Sequence, residues 1–284
     1  MANTGLSRTF GTPTNNLKWT FSAWIKRSNV TTTQNIFSAR IDGSNFGMIS
    51  INSSGFLDVA SYIGGWEMRY VTNRVFRDTN AFYHLCVSND SSLASPETKI
   101  YINGVLETSF STSDPASQNE ESMINKSGVA HWVGQNGNNQ SYFDGSMSHM
   151  HFIDGTAYDA SYFGSTDSTT GEWKINTSPS VTYGTNGFFI LKDGNSDSDQ
   201  SGNTNNFFTA SGSLTKTEDS PSNVFATLNP LDTADGTDFS SLLQNGNTTL
   251  TGSANDKGLR GTLGASSGKF YWEIKANDEG DTLC

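Results

Sequence analysis

The chain has 284 residues, a formal net charge of −11, and a charged fraction of only 16%, against about 25% in an average soluble domain. Asn, Ser, Thr and Gly together make up 127 of the residues, and these types favour caps, turns and strands over helix interiors. The acidic balance excludes the basic face that nucleic acid requires, and no apolar run reaches the roughly 18 residues of a membrane span.

The first clear element covers residues 17–26. Trp19, Phe21, Ala23 and Ile25 fall on one face of it and mostly polar residues on the other. This period of two predicts a half-buried strand.

Further short apolar runs follow at turn-separated intervals, and Asn103-Gly104 between two of them is a strong hairpin signal. At residues 159–163 the pattern predicts a single helical turn with Asp159 as its N-cap. We therefore predict an all-β protein, an antiparallel jelly-roll β-sandwich, with strands at residues 35–40, 46–52, 56–62, 67–71, 82–89, 99–102, 105–109, 131–134 and 145–153.

Composition divides the chain into four predicted parts. They are an N-terminal lead (1–16), the sandwich (17–157), a turn-rich extension (158–222) and an incomplete second β segment (223–284) that includes an alternating strand at 269–275. We interpret Cys86 as a small buried side chain without a disulfide. The start of the chain has no basic and apolar leader, so we expect production in a cytoplasm.

Several segments of the sandwich resemble the laminin-G/concanavalin A-like jelly roll. The resemblance covers roughly residues 17–157 and implies that fold; it lies in residues 19–28, 75–78, 82–85, 100–105 and 143–147.

A second resemblance is to virion proteins of marine bacteriophages, especially tail fibres, in which a SPRY-like domain often follows. It implies location on a virion, contacts with other virion proteins, and a homo-oligomer, with a trimer implied by the fibre likeness. The segments that carry it are residues 151–158, 163–167, 170–174, 183–188 and 220–230, with 267–274 resembling a SPRY-like opening strand.

Catalysis by a jelly-roll glucanase needs paired carboxylates, typically as E-x-D-x-x-E on one strand. The chain has no such spacing, and Glu279-Gly280-Asp281 only begins one. We therefore predict a protein that is not an enzyme.

Two clusters combine an aromatic ring for stacking on a sugar with polar groups for its hydroxyls. Tyr62 and Trp66 flank a Gly-Gly turn, and Trp132 precedes an amide-rich loop containing Asn136 and Asn138. These five residues are the predicted carbohydrate-binding residues, although burial in the sandwich core is the simpler interpretation of each aromatic.

No cofactor is predicted apart from a candidate calcium ion. Asp193, Asn195 and Asp197 offer oxygen ligands at alternate positions, as a calcium loop does, while an acidic turn without metal explains the same residues. Asp144 and Asp154, at the two ends of a strand, are a second candidate.

Three functions remain open from the sequence. The leading hypothesis is a virion protein that adheres to host-surface polysaccharide through many weak sites. The alternatives are a purely architectural capsid or tail decoration protein and, third, a polysaccharide depolymerase.

Overall fold

A computed structural model describes residues 3–192, 196–233, 239, 242–251 and 258–275. One 3₁₀ turn, Ala160–Tyr162, is capped by the Asp159 side chain as predicted. The strands are β1 (Gly5–Thr9), β2 (Lys18–Arg27), β3 (Gln34–Asp42), β4 (Asn45–Ile51), β5 (Phe56–Ile63), β6 (Trp66–Val75), β7 (Tyr83–Asp90), β8 (Glu97–Ile102), β9 (Val105–Leu106), β10 (Phe110–Asp114), β11 (Ala130–Val133), β12 (Gly145–Asp154), β13 (Gly164–Thr166), β14 (Trp173–Ile175), β15 (Phe188–Ile190), β16 (Phe208–Ser211), β17 (Leu228–Thr233), β18 (Leu243–Gln244), β19 (Thr249–Leu250) and β20 (Leu259–Gly261).

Two antiparallel sheets form the sandwich. The larger has eight strands in the order β10-β6-β5-β4-β3-β11-β1-β16, and the smaller has six in the order β15-β12-β2-β7-β8-β9. The Asn103-Gly104 turn joins β8 to β9 as predicted, with Tyr101 opposite Leu106. The all-β jelly-roll prediction is confirmed.

Aromatic side chains fill the space between the two sheets. Trp19, Phe21 and Ile25 of β2 are fully buried, and the Phe21 ring stacks on Phe37 of the opposite sheet at 5.3 Å. Each large apolar side chain buried in this way contributes about 1.5–3 kcal/mol, so the alternation seen in residues 17–26 supplies one wall of the core.

The predicted N-terminal lead is part of the sandwich. Strand β1 lies between β11 and β16 in the eight-stranded sheet, and Leu6 and Phe10 are buried in the core. The sheet therefore includes β1, whose five residues are too few for their alternation to stand out in the sequence.

The turn-rich extension covers the outer face of the six-stranded sheet. Phe163 and Trp173 pack around Cys86 and Ile153 there, and β15 adds a strand to the edge of that sheet. These side chains bury the Cys86 thiol, which forms no disulfide. On the outer face of the eight-stranded sheet, the described residues leave Trp66 43% exposed.

Residues 269–275 do not form the predicted strand. They have no strand assignment, and Phe270, Trp272 and Ile274 are exposed. An alternating pattern becomes a strand only when a neighbouring strand supplies the hydrogen bonds, and none of the described residues does so. The described part of the chain also contains no helix that could cross a membrane.

Candidate functional site

The hairpin between β5 and β6 presents Tyr62 and Trp66 side by side. Gly64 has a φ of +67°, which glycine adopts without strain, and the turn that it makes sets Tyr62 opposite Trp66. The Gly64 N–H also donates to the Ser44 carbonyl at 2.8 Å. This bond ties the hairpin to the adjacent turn before β4.

Phe46 of β4 completes a cluster of three rings, since it pairs with Tyr62 in the register of the sheet. The Phe46 and Tyr62 rings are stacked, with centroids 5.3 Å apart. Trp66 stands edge-on to both, at 5.0 Å from Tyr62 and 6.1 Å from Phe46. We call Phe46, Tyr62 and Trp66 the aromatic platform.

A charged pair borders the platform. The Arg69 guanidinium lies 4.4 Å from the centroid of the Trp66 ring, in cation–π range. Two of its nitrogens donate to Asp58, at 2.7 and 3.3 Å, and this bonding raises the pKa of Arg69 above its usual value. Asp58 is only 4% exposed. The pair fixes Arg69 against the ring, with guanidinium N–H groups beside it.

The platform belongs to a longer polar and aromatic face. Small residues between the large ones, including Ser38 and Ala60, are buried. The next cross-strand row of the same face consists of Phe208, Ser7, Trp132, Ser38, Met48, Ala60, Arg69 and Asp114.

Trp132, predicted as a separate site, lies on this same face. It is three strands away from Tyr62 in the order of the sheet, or roughly 14 Å at about 4.8 Å per strand. The Trp132 Nε1 is buried and has no hydrogen-bond partner among the described residues. The structure therefore joins the two predicted clusters on one surface.

The amide-rich loop after Trp132 is held by its own side chains. The Asn136 Oδ1 accepts from the backbone N–H groups of Asn138, at 2.9 Å, and Gln140, at 3.3 Å. Gly137 lies against the Trp132 indole. Asn136 thus shapes the loop, while Asn138 is exposed at its tip.

The two candidate calcium ligands on β12 are far apart. Asp144 precedes the strand and Asp154 ends it, so they are separated by roughly 30 Å at about 3.3 Å per residue. The Asp154 carboxylate accepts from the backbone N–H groups of Thr14, Asn15 and Asn186 and from the Asn125 side chain. At this separation the two carboxylates do not meet at one ion, and Asp154 joins its own strand to three other segments.

Of the other candidate calcium residues, the structure describes Asp197 alone. Asp193 and Asn195 lie outside the described residues, and the Asp197 carbonyl accepts from the Phe207 N–H at 3.0 Å. Asp199 organises this loop, with its carboxylate accepting from the N–H groups of Phe189, Ser201 and Asn205. Within the described ranges no three His, Cys, Asp or Glu side chains group as metal ligands.

Sequence reasoning missed Phe46 and Arg69. Both lie on strands that were predicted, at alternate positions facing away from the core. The signal that could have found them is an aromatic or arginine on the outer face of a strand next to the Tyr62 hairpin.

Residues 4–161 match the concanavalin A-like lectin/glucanases superfamily. The chain belongs to this superfamily. A solved structure of a protein from Bacteroides ovatus, whose carbohydrate binding is inferred, superposes with a TM-score of 0.50 at 14% identity. The match covers 76% of the present chain and 58% of the Bacteroides protein, so the chain spans little more than half of that relative. At this identity the likeness supports the superfamily fold alone.

Two further solved structures are similar at lower TM-scores. A heptameric SAP-like pentraxin from Limulus polyphemus has a TM-score of 0.44 and 15% identity, over 67% of this chain and 89% of that one. Tailspike protein 2 of an Escherichia coli O157:H7 bacteriophage has 0.38 and 14%, over 55% and 21%. No curated protein matches the chain.

Proposed function

We propose that the protein is a non-enzymatic virion component that adheres to host-surface polysaccharide through the outer face of its eight-stranded sheet. The observation that carries the proposal is the aromatic platform, three rings in mutual contact on a surface with Trp66 43% exposed. Clusters of aromatic rings on a protein surface are a common sign of a binding site.

The chemistry of the face suits a sugar chain. The apolar side of a pyranose ring packs on an indole or phenol ring, and the sugar hydroxyls require donors and acceptors close by. Arg69 beside Trp66 supplies N–H donors, and Asn138, in the loop after Trp132, supplies an exposed amide. An extended chain lying across the strands would contact the platform and Trp132 together.

Two observations support a role without catalysis. The E-x-D-x-x-E spacing of jelly-roll glucanases is missing from the sequence. Asp58, a carboxylate beside the platform, is held in a bidentate ion pair with Arg69. Glycoside hydrolysis needs two carboxyl groups about 5–10 Å apart, one of them able to give up a proton.

The virion setting rests on the motifs that resemble marine phage structural proteins. The proposed partners are other virion proteins and further copies of this chain, with a trimer as the expected assembly. Repetition of the face in an oligomer would convert weak contacts with a polysaccharide into firm attachment.

One observation favours the architectural alternative. Phe270, Tyr271, Trp272 and Ile274 are between 67% and 83% exposed, which is typical of a surface that meets another protein segment. In that function the protein would join subunits, and no sugar would bind the platform.

The test is a polysaccharide and glycan array probed with the assembled protein. We expect binding to at least one surface polysaccharide, reduced at least tenfold by Trp66→Ala or Tyr62→Ala. Tyr162→Ala is the matched control, since Tyr162 is 41% exposed on the extension. A folded oligomer that binds no glycan, or binding that the platform variants leave intact, would overturn the proposal.

A further inference from the structure

The hairpin of β13 and β14 lies on the outer face of the six-stranded sheet without joining it. Within the described residues its two strands pair only with each other, as a separate two-stranded sheet. The turn between them is closed by a bond from the Asp167 N–H to the Glu172 carbonyl. Strand β15 of the same extension, by contrast, is bonded to β12 as part of the sandwich. The hairpin can therefore leave the sandwich without breaking a sheet.

One side chain fastens the hairpin to the sandwich. Trp173 of β14 packs against Gly104, in the turn between β8 and β9, where a Cβ would collide with the indole ring. The Trp173 Nε1–H donates to Nδ1 of His84, on β7, at 3.1 Å. Among the hydrogen bonds of the described residues, this is the only one that joins residues 164–175 to the two large sheets.

This bond determines the protonation state of His84. An indole N–H only donates, so His84 Nδ1 carries no proton while the bond is in place. The ring is then neutral, with its proton on Nε2, which donates to the Ser22 Oγ at 2.9 Å. A second proton would enter at Nδ1 and set two buried donors against each other. His84 therefore binds that proton only when Trp173 moves away.

The surroundings of His84 supply no counter-charge for an imidazolium. Burial alone lowers the pKa of His84, to about 3. The other ionisable groups of this face are His151 and the Cys86 thiol, and burial keeps both of them neutral. The exposed Asp159 acts on Cys86. The rings around His84 are those of Trp24, Phe163 and Trp173.

The bond made by His151 differs, because it survives protonation. His151 Nδ1 lies 2.9 Å from the Tyr183 hydroxyl, and a hydroxyl both donates and accepts. Rotation of the Tyr183 O–H therefore keeps the bond when His151 gains a proton. The Tyr183 carbonyl also accepts from the Asp154 N–H at 2.8 Å, so this part of the extension stays attached to β12.

We propose that the β13–β14 hairpin is an acid-released flap, held shut by the unprotonated Nδ1 of His84 and opened when that nitrogen binds a proton. Opening withdraws Trp173 from the buried patch around Cys86 and Ile153, against which it packs. The flap and the aromatic platform lie on opposite faces of the sandwich, so the flap works whether or not the platform binds polysaccharide.

Proton linkage sets the size of the effect. In the open flap His84 meets solvent and approaches its ordinary pKa of about 6.5, whereas in the closed flap burial holds the pKa at about 3. The open fraction is therefore smallest above pH 6.5. Below about pH 6 it rises about tenfold for each pH unit, until the pH nears that of the closed state.

The experiment follows the exchange of indole N–H groups with deuterated water by NMR, which detects rare openings. The exposed Trp272 indole in the same sample corrects for the intrinsic effect of pH. We expect the exchange rate of Trp173, divided by that of Trp272, to rise about tenfold per pH unit between pH 6 and pH 4. The core Trp19 indole, which donates to the Ser122 Oγ, should exchange more slowly than Trp173 throughout.

Two variants test the assigned nitrogen. His84→Asn places an oxygen that accepts but does not titrate near the position of Nδ1, so the rate ratio should no longer depend on pH. His151→Asn, the matched control on the same face, should keep the dependence. NMR of the ring nitrogens needs no variant and should find the proton of neutral His84 on Nε2.

Four results would overturn the flap. They are a Trp173 rate ratio that does not change with pH, Trp173 exchange no faster than that of Trp19, a proton on Nδ1 of neutral His84, and a pH dependence that folded His84→Asn retains or His151→Asn abolishes. Equal exchange of Trp173 and Trp19 would mean that acid unfolds the whole sandwich at once.

Discussion

Asp154 shows how a single carboxylate holds distant segments together. It is 2% exposed and accepts four N–H donors from residues before β2, before β11 and before β15. Such charge-assisted hydrogen bonds are about twice as strong as neutral ones. The Asp154 carboxylate therefore stabilises the packing of these three segments against the end of β12.

We expect Asp154→Asn to lower the free energy of unfolding by about 3 kcal/mol or more, because an amide turns N–H groups towards N–H groups and leaves donors unpaired. Urea unfolding measures this change. Asp159→Asn, at an exposed cap with a similar local bond, is the control and should cost about 1 kcal/mol or less. Equal losses in the two variants would contradict the assigned role of Asp154.

Cys86 gives a test of the covered sheet face. Burial raises the pKa of the Cys86 thiol, and only the thiolate reacts with disulfide reagents. We expect the Cys86 thiol to be unreactive in the native protein at pH 8 and to react once urea unfolds the chain. Peptide mapping after labelling distinguishes it from Cys284, and fast native labelling of Cys86 would show that the extension does not cover this face.

At the scale of elements, a buried ion pair attaches residues 219–225 to β2. Lys26 Nζ lies 2.8 Å from the Asp219 carboxylate, with both side chains less than 5% exposed. The other Asp219 oxygen accepts from the Phe225 N–H. Removing one partner leaves a buried charge, which typically costs about 3–5 kcal/mol.

Asp219→Ala should therefore lower the free energy of unfolding by about 3–5 kcal/mol, and the double variant Lys26→Met/Asp219→Ala should recover much of the loss. Glu97→Ala breaks the exposed Glu97–Lys99 pair and should cost about 1 kcal/mol or less. A loss after Asp219→Ala no larger than this control would mean that the pair does not anchor the segment.

The sequence predicts elements well where one face is buried. The alternation of Trp19, Phe21 and Ile25 identifies β2, and Asn103-Gly104 identifies a hairpin, because both signals are local. Register is not local: nothing near Phe46 in the sequence indicates that it pairs with Tyr62. For the same reason the sequence predicts Tyr62 and Trp66 as one site and Trp132 as another. Only the order of the strands in the sheet shows that the three residues lie on one face.

Two segments differ from the sequence prediction for opposite physical reasons. Strand β1 was missed although Leu6 is buried, because its stability comes from pairing with β11 and not from its own pattern. Residues 269–275 have the alternating pattern, but no strand within the described ranges pairs with them.

At the scale of the whole molecule, three histidines link stability to pH. Burial lowers the pKa of His84 and His131 to about 3, and it lowers the pKa of His151 well below its usual value. The unfolded chain binds these protons near pH 6.5. Their contribution to stability is therefore complete above about pH 6.5 and is lost as the pH falls towards 3.

We expect the free energy of unfolding to fall by up to about 1.4 kcal/mol per pH unit for each of these histidines below pH 6. Protonation of His131 Nε2 would also break the bond that it accepts from the Asn125 N–H. NMR of the native protein should show three histidines that stay neutral at pH 5. Native titration of all of them near pH 6.5 would contradict the burial described.

The two outer faces of the sandwich differ in what covers them. The extension covers one of them with Phe163 and Trp173, whereas the other carries the aromatic platform and Trp132. We expect this second face to bind polysaccharide.

The most direct measurement is oxidative footprinting by mass spectrometry of the assembled protein with and without the polysaccharide that it binds best. We expect bound polysaccharide to lower the oxidation rates of Tyr62 and Trp66 and to leave those of the exposed Tyr162 and Trp272 unchanged. Protection of Trp272 with unchanged oxidation of Trp66 would contradict it and place the contact on the C-terminal segment.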